Sequence, residues 1–218
     1  MFEFSKESIK NLSKIQRLNL VNSCTGYKSA NLIGTKSKDG ISNLAIFSSI
    51  THLGSDPALL GFILRPATVP RNSYTNIKET HYFTVNHVTA DLIAQAHQTS
   101  ASYDYGISEF NITGIKEAYH PDIIVPFVAE SPVQILCKYQ SEYEIKENNC
   151  IHIIASIEAI FCNKNLISND HWLQLDKGNV VAINGLDGYC LPKLIDRFEY
   201  ARPNTTTKSV LKNGTQES

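Results

Sequence analysis

The feature that most constrains this chain is a succession of short apolar or alternating runs, with no long helical pattern between them. Leu44–Ile50 and Leu59–Leu64 are compact apolar runs bounded by Gly, Asp and Pro. Tyr82–Val88 alternates, as do Val133, Ile135, Cys137 and Tyr139, and Tyr143 with Ile145 repeats the pattern. Ile151, Ile153, Ala155, Ile157, Ala159 and Phe161 share one face of a longer strand, because side chains alternate sides at a period of two. Val180–Ile183 reads as a final short strand. Strands that do not alternate with long helices argue against a doubly wound parallel sheet. The pattern predicts a mainly β fold, a β-barrel with a few short helices, in which closure removes exposed edges.

Two helical stretches punctuate the strands. Ile9, Leu12, Ile15 and Leu18 recur every three residues, predicting one short amphipathic helix from about Ser5 to Val21. Asp91–Gln98 predicts a second, with Thr89 as N-cap. Neither a repeat nor a linker divides the chain, so one domain is expected over residues 1–203, with its core at about 20–165. The polar stretch 204–218 is expected to be a disordered tail. A chain of 218 residues can bury a sizeable core without disulfides.

Charge and composition exclude several classes. A formal net charge of −1 provides no field for nucleic acid or an anionic membrane surface. No apolar run approaches the roughly 20 residues that span a bilayer. The N-terminus mixes charged and apolar residues unlike a secretory signal, and the five cysteines are widely spread. Free thiols in a reducing cytoplasm follow as the expectation. His81 and His87 lack a third ligand nearby, so no metal site is expected. The chain contains no G-x-G-x-x-G, no phosphate-binding P-loop and no G-x-S-x-G elbow.

Two polar clusters stand out. In Asn43-Leu44-Ala45-Ile46-Phe47-Ser48-Ser49, an apolar run ends on adjacent serines. These form either a solvated strand end or an edge whose amides and hydroxyls face a flat heteroaromatic ligand. In Arg65-Pro66-Ala67-Thr68-Val69-Pro70-Arg71-Asn72-Ser73, two guanidinium groups and two hydroxyls precede a helical turn from Tyr74 to Glu79. That is either a solvated basic loop or a phosphate site, since Arg forks onto phosphate oxygens and free helix amides point at them.

Together, TGYKSANLIGT (25–35), GISNLAIFSSITHLGSDPALLGFILRPATVPRNSYTNI (40–77) and YFTVNHV (82–88) resemble the flavin-reductase-like family of FMN-binding split β-barrels. AHQTSASYDYGISEF (96–110) and GLDGYCLPKLIDRFEYARP (185–203) match the same family, extending the resemblance over residues 20–203. The resemblance implies a homodimer with FMN bound near the subunit interface. It places flavin-ring contacts at Asn43, Leu44, Ala45, Ser48 and Ser49, and phosphate contacts at Arg65, Thr68, Arg71 and Ser73. Many relatives carry Lys-Asp-Thr where this chain has Arg71-Asn72-Ser73, and Pro in place of Ile46. The segment Tyr103–Ile115 resembles one that packs close to flavin and partner subunit.

The activity so implied is an oxidoreductase that reduces FMN with NADH or NADPH, with an oxygenase or other electron acceptor as partner. An electron-transfer flavoprotein and a non-catalytic flavin- or haem-binding barrel are the alternatives. No catalytic acid or base is assigned, because the cofactor carries the hard chemistry. His52 and Lys28 lie beside the motifs, where either a structural role or contact with substrate is open.

Overall fold

Two serines decide how the N-terminus folds. Ser5 Oγ accepts from the Ser8 amide at 3.2 Å. Ser13 Oγ accepts from the Gln16 amide at 3.3 Å, and the Gln16 side chain accepts from the Ser13 amide at 3.2 Å, completing a capping box. The single helix expected from Ser5 to Val21 is therefore two, α1 (Lys6–Asn11) and α2 (Lys14–Cys24). Neither buries a residue, and Ile15 is 72% exposed.

The structure, a computed structural model, describes residues 1–66, 71–104 and 106–213. After α2 come β1 (Lys28–Ser29), β2 (Asn31–Lys36), β3 (Ser42–Phe47), β4 (Thr51–Ser55) and β5 (Ala58–Leu64). Helix α3 (Asn72–Thr80) leads into β6 (Tyr82–His87), followed by a 3-10 turn at Ala90–Leu92, α4 (Ile93–Gln98) and α5 (Glu109–Thr113). Two short strands, β7 (Glu117–Ala118) and β8 (Phe127–Val128), precede the long hairpin of β9 (Val133–Ile145) and β10 (Cys150–Cys162). The chain ends in β11 (Ala182–Asn184), β12 (Gly188–Cys190) and α6 (Val210–Asn213). Among the described residues, no helix is long and apolar enough to cross a membrane.

Seven strands form one antiparallel sheet in the order β3-β2-β6-β9-β10-β5-β4. The sheet curls on itself: Phe47 of β3 meets Phe62 of β5 edge-on at 5.3 Å, although four strands separate them in the ladder. Phe62 also meets Phe83 at 5.6 Å. Ile33, Phe62, Phe83, Val85 and Ile153 fill this interior. A second core on the outer face joins Leu32 and Leu44 to Val88, Phe110 and Val181.

Periodicity does not reveal β2 because adjacent Leu32 and Ile33 enter opposite cores, and Asn31 and Thr35 are as buried as they are. Gly34 is required there, because a Cβ would lie 2.4 Å from the Pro126 carbonyl oxygen and 2.7 Å from Thr84 Oγ1. The two alternating stretches around Tyr139 and Tyr143 are one strand. Ile154 pairs with Ser141 and Ala155 with Tyr139, leaving Gln140 as a bulge. A second irregularity lies between Ile157 and Ala159. Past it, Phe161 leaves the face of Ile153 and stacks on His120 at 3.6 Å. The polar stretch after Asn204, expected to be disordered, folds back as far as Asn213. There Ser209 bridges Phe198 and its hydroxyl donates to Asp196 at 2.6 Å.

Candidate functional site

A cavity of about 890 Å³ opens where the curled sheet meets itself. One wall is β3 and the turn after it, with Asn43, Ala45, Ile46, Ser48 and Ser49, continued by Ile63–Arg65 and by Arg71–Ser73 at the start of α3. The opposite wall comes from the end of α2, Lys28, His97, Thr99–Tyr103, Ile183 and Asp187. Of the residues expected from the sequence, Asn43, Ala45, Ser48, Ser49, Arg65, Arg71 and Ser73 converge on this one space. Thr68 lies outside the described residues. Leu44 does not line the cavity: its side chain is fully buried in the outer core, and its amide donates to Glu109 Oε2 at 2.9 Å.

Hydrogen bonding divides the lining residues. Ser49 Oγ accepts from the Ile63 amide at 3.0 Å and donates to the Ile63 carbonyl at 3.3 Å, so its hydroxyl ties β5 to the end of β3. Ser73 donates to Asn43 Oδ1 at 3.0 Å, so that hydroxyl hydrogen is committed within the wall. Arg71 differs. Its Nε is buried without a partner among the described residues, on a side chain that lines the cavity. Arg71 is also the N-cap residue of α3 and makes no side-chain cap bond there. The first intrahelical bond runs from the Thr75 amide to the Arg71 carbonyl, leaving the amides of the first turn without intrahelical partners where Arg71, Asn72 and Ser73 line the cavity. A guanidinium beside free helix amides is an anion-binding arrangement.

Along β3 the open edge has its own pattern. Amides of an edge strand alternate between the neighbouring strand and open space. The Leu44 amide points outward to Glu109, so by this parity the Ile46 amide is the next one on the open edge.

Glu109, His97 and Tyr189 emerge only from the structure. Glu109, 6% exposed, is the sole charge between Asp104 and Lys116, the one signal its sequence context offers. His97 Nδ1 lies 3.1 Å from the Tyr189 hydroxyl, and the rings meet edge-on at 5.8 Å. Burial, then Asp187, raises the Tyr189 pKa, so the phenol beside His97 stays protonated. Lys28 also lines the cavity, with its ammonium held by the Asn22 carbonyl at 2.7 Å and Thr25 Oγ1 at 3.2 Å. His52 is instead on exposed β4, bonded to Ser55 at 3.1 Å.

A family model described as a flavin reductase like domain matches residues 27–179, most of the chain and most of the cavity wall. The chain belongs to this family. Among solved structures, a candidate flavin reductase with a split barrel domain from Shewanella frigidimarina is 40% identical. It superposes with a TM-score of 0.89, covering 92% of this chain and 100% of that one. Component B of nitrilotriacetate monooxygenase from Bacillus cereus shares the fold at 16% identity and a TM-score of 0.76, over 92% and 98% of the two chains. Flavoredoxin of Desulfovibrio vulgaris does so at 18% identity and 0.67, over 82% and 92%. The curled sheet is thus the split barrel of the flavin reductase like family. The chain spans about half the length of the first curated relatives it matches, such as a Halalkalibacterium halodurans protein. That protein is 29% identical over 50% of this chain and 53% of its own.

Proposed function

We propose that this protein binds FMN in the cavity between β3 and α3 and catalyses its reduction by NADH or NADPH, as a cytoplasmic homodimer that hands electrons to an oxygenase or similar acceptor. The carrying observation is the buried Arg71 Nε, without a partner among the described residues, beside a start of α3 that has no side-chain cap. A phosphate monoester satisfies both at once, whereas riboflavin leaves them unmet. Bound FMN supplies the ring that accepts a hydride. The protein orients that ring and controls what reaches it.

The residues divide this work. Arg71, with Arg65 at the cavity rim, holds the phosphate end. The Ile46 amide and the Ser48 hydroxyl offer donors along the ring, while Asn43 and Ser49 fix the strand that carries them. On the far wall, His97, oriented by Tyr189, presents a ring nitrogen to a second substrate. The oxygenase partner is drawn by analogy with the Bacillus cereus monooxygenase component of the same fold.

Anaerobic titration of the FMN-loaded protein with each nicotinamide tests the reading. Loss of the flavin absorbance with NADH or NADPH supports the reductase. Flavin that binds but is bleached by neither removes the activity while leaving the binding site standing.

A further inference from the structure

Glu109 is an unusual wall for a flavin cavity. It is 6% exposed, and Oε2 accepts from both the Leu44 amide at 2.9 Å and the Asn43 side-chain amide. Asn43, itself 5% exposed, passes the chain of bonds on by accepting from Ser73 at 3.0 Å. Among the described residues neither ion pair involves Glu109. A buried carboxylate is costly unless it is hydrogen-bonded, and here two N–H donors meet one oxygen. A serine or glutamine at this place can also accept from the Leu44 amide, so strand anchoring alone does not call for a charge. What a carboxylate adds is a fixed negative potential at the cavity wall.

We infer that Glu109 is a positioning residue that sets the redox balance of the site. Through Asn43 and Leu44 it holds the flavin-lining strand, and its charge disfavours the reduced flavin, which carries an extra negative charge at neutral pH. The inference rests on the flavin reading above. A unit charge acting across roughly 10 Å at an effective dielectric constant near 20 changes an equilibrium by about tenfold. With Arg65, Arg71 and Lys28 lining the same cavity, the share of Glu109 is read as a difference: its charge is expected to shift the ratio of oxidised to reduced FMN affinity about tenfold toward the oxidised form. For a two-electron couple, that lowers the midpoint potential of bound FMN by about 30 mV relative to the same site without the charge.

The test is spectroelectrochemical titration of FMN-loaded wild type, Glu109→Gln and Asn43→Ala, with separate titrations of oxidised and dithionite-reduced FMN. Glu109→Gln is expected to raise the midpoint by about 30 mV relative to wild type. Asn43→Ala keeps the charge and is expected to weaken FMN and riboflavin alike without raising the potential. If Glu109→Gln does not fold, Glu109→Ser, which also removes the charge, is read in its place: an unchanged midpoint in that variant overturns the inference. An unchanged midpoint in Glu109→Gln overturns it while the flavin reading stands. A wild-type protein that takes up no flavin overturns both.

Discussion

Ser49 holds both backbone groups of Ile63, accepting from the amide at 3.0 Å and donating to the carbonyl at 3.3 Å. One hydroxyl therefore does what a pair of ladder bonds does elsewhere in the sheet. It does so where β3 and β5 come together without being hydrogen-bonded neighbours. Ser49→Ala leaves the Ile63 amide unpaired and is expected to lower stability by about 1–3 kcal/mol. Urea denaturation of both serine variants checks this, since Ser48→Ala should leave the midpoint near that of wild type.

Arg71 and Ser73 sit two residues apart in the cavity wall but should respond differently. Arg71→Ala removes a charged side chain whose buried Nε has no partner among the described residues, and should weaken FMN by about 10- to 150-fold while leaving riboflavin almost unchanged. Ser73→Ala removes the donor to Asn43, and should weaken both ligands to a similar, smaller extent. Four fluorescence titrations separate the two. Equal loss of both ligands in Arg71→Ala removes Arg71 from the phosphate site.

Acid stability should carry the signature of His87. Burial lowers its pKa to about 4, from an ordinary value of 6.5, and its Nδ1 has no partner among the described residues. The unfolded chain takes up this proton as pH falls through 6.5, and the folded chain does so only near 4. The stabilising contribution is therefore complete above pH 6.5, shrinks between 6.5 and 4, and is lost below that range. The decline amounts to about 3 kcal/mol. Unfolding free energies measured from pH 7 to 4 should show this slope in wild type and a shallower one in His87→Gln.

Assembly is legible in what α1 and α2 fail to bury. Both helices are well capped, yet no residue of either is buried, and Ile195 and Tyr200 near the C-terminus are each 91% exposed. A two-fold dimer covering these surfaces is expected. Light scattering at micromolar concentration should return twice the 24.3 kDa chain mass. Deletion of residues 1–12 should shift that equilibrium toward the single chain.

Strands whose sequence alternates, such as β6 and the first half of β9, were legible from a period of two, and the barrel class followed, although Thr84 and Asn86 on the second face of β6 are buried too. Strand β2 was not, because its adjacent apolar residues Leu32 and Ile33 enter opposite cores and the polar Asn31 and Thr35 lie inside beside them. Nor was the Gln140 bulge, which a pairing register reveals and a single strand does not. The candidate site was legible as two polar clusters because they interrupt apolar runs. Residues whose role comes from a distant partner were not. Asn43 meets Glu109 across 66 positions, and His97 meets Tyr189 across 92.

The aromatic and serine closure of the barrel has a kinetic meaning. Along the seam between β3 and β5, the contact consists of the Phe47–Phe62 ring pair and the Ser49 hydroxyl, where every other junction from β3 to β4 is a hydrogen-bonded ladder. Such a junction separates at lower free energy than a ladder, since few bonds break with it. The cavity lies at this seam, so the smallest local unfolding of the barrel parts the cavity wall as well. A ligand that occupies the cavity acts as a bolt across the seam. Its largest effect on amide exchange should fall on Ile63 and its neighbours rather than on the β9–β10 hairpin.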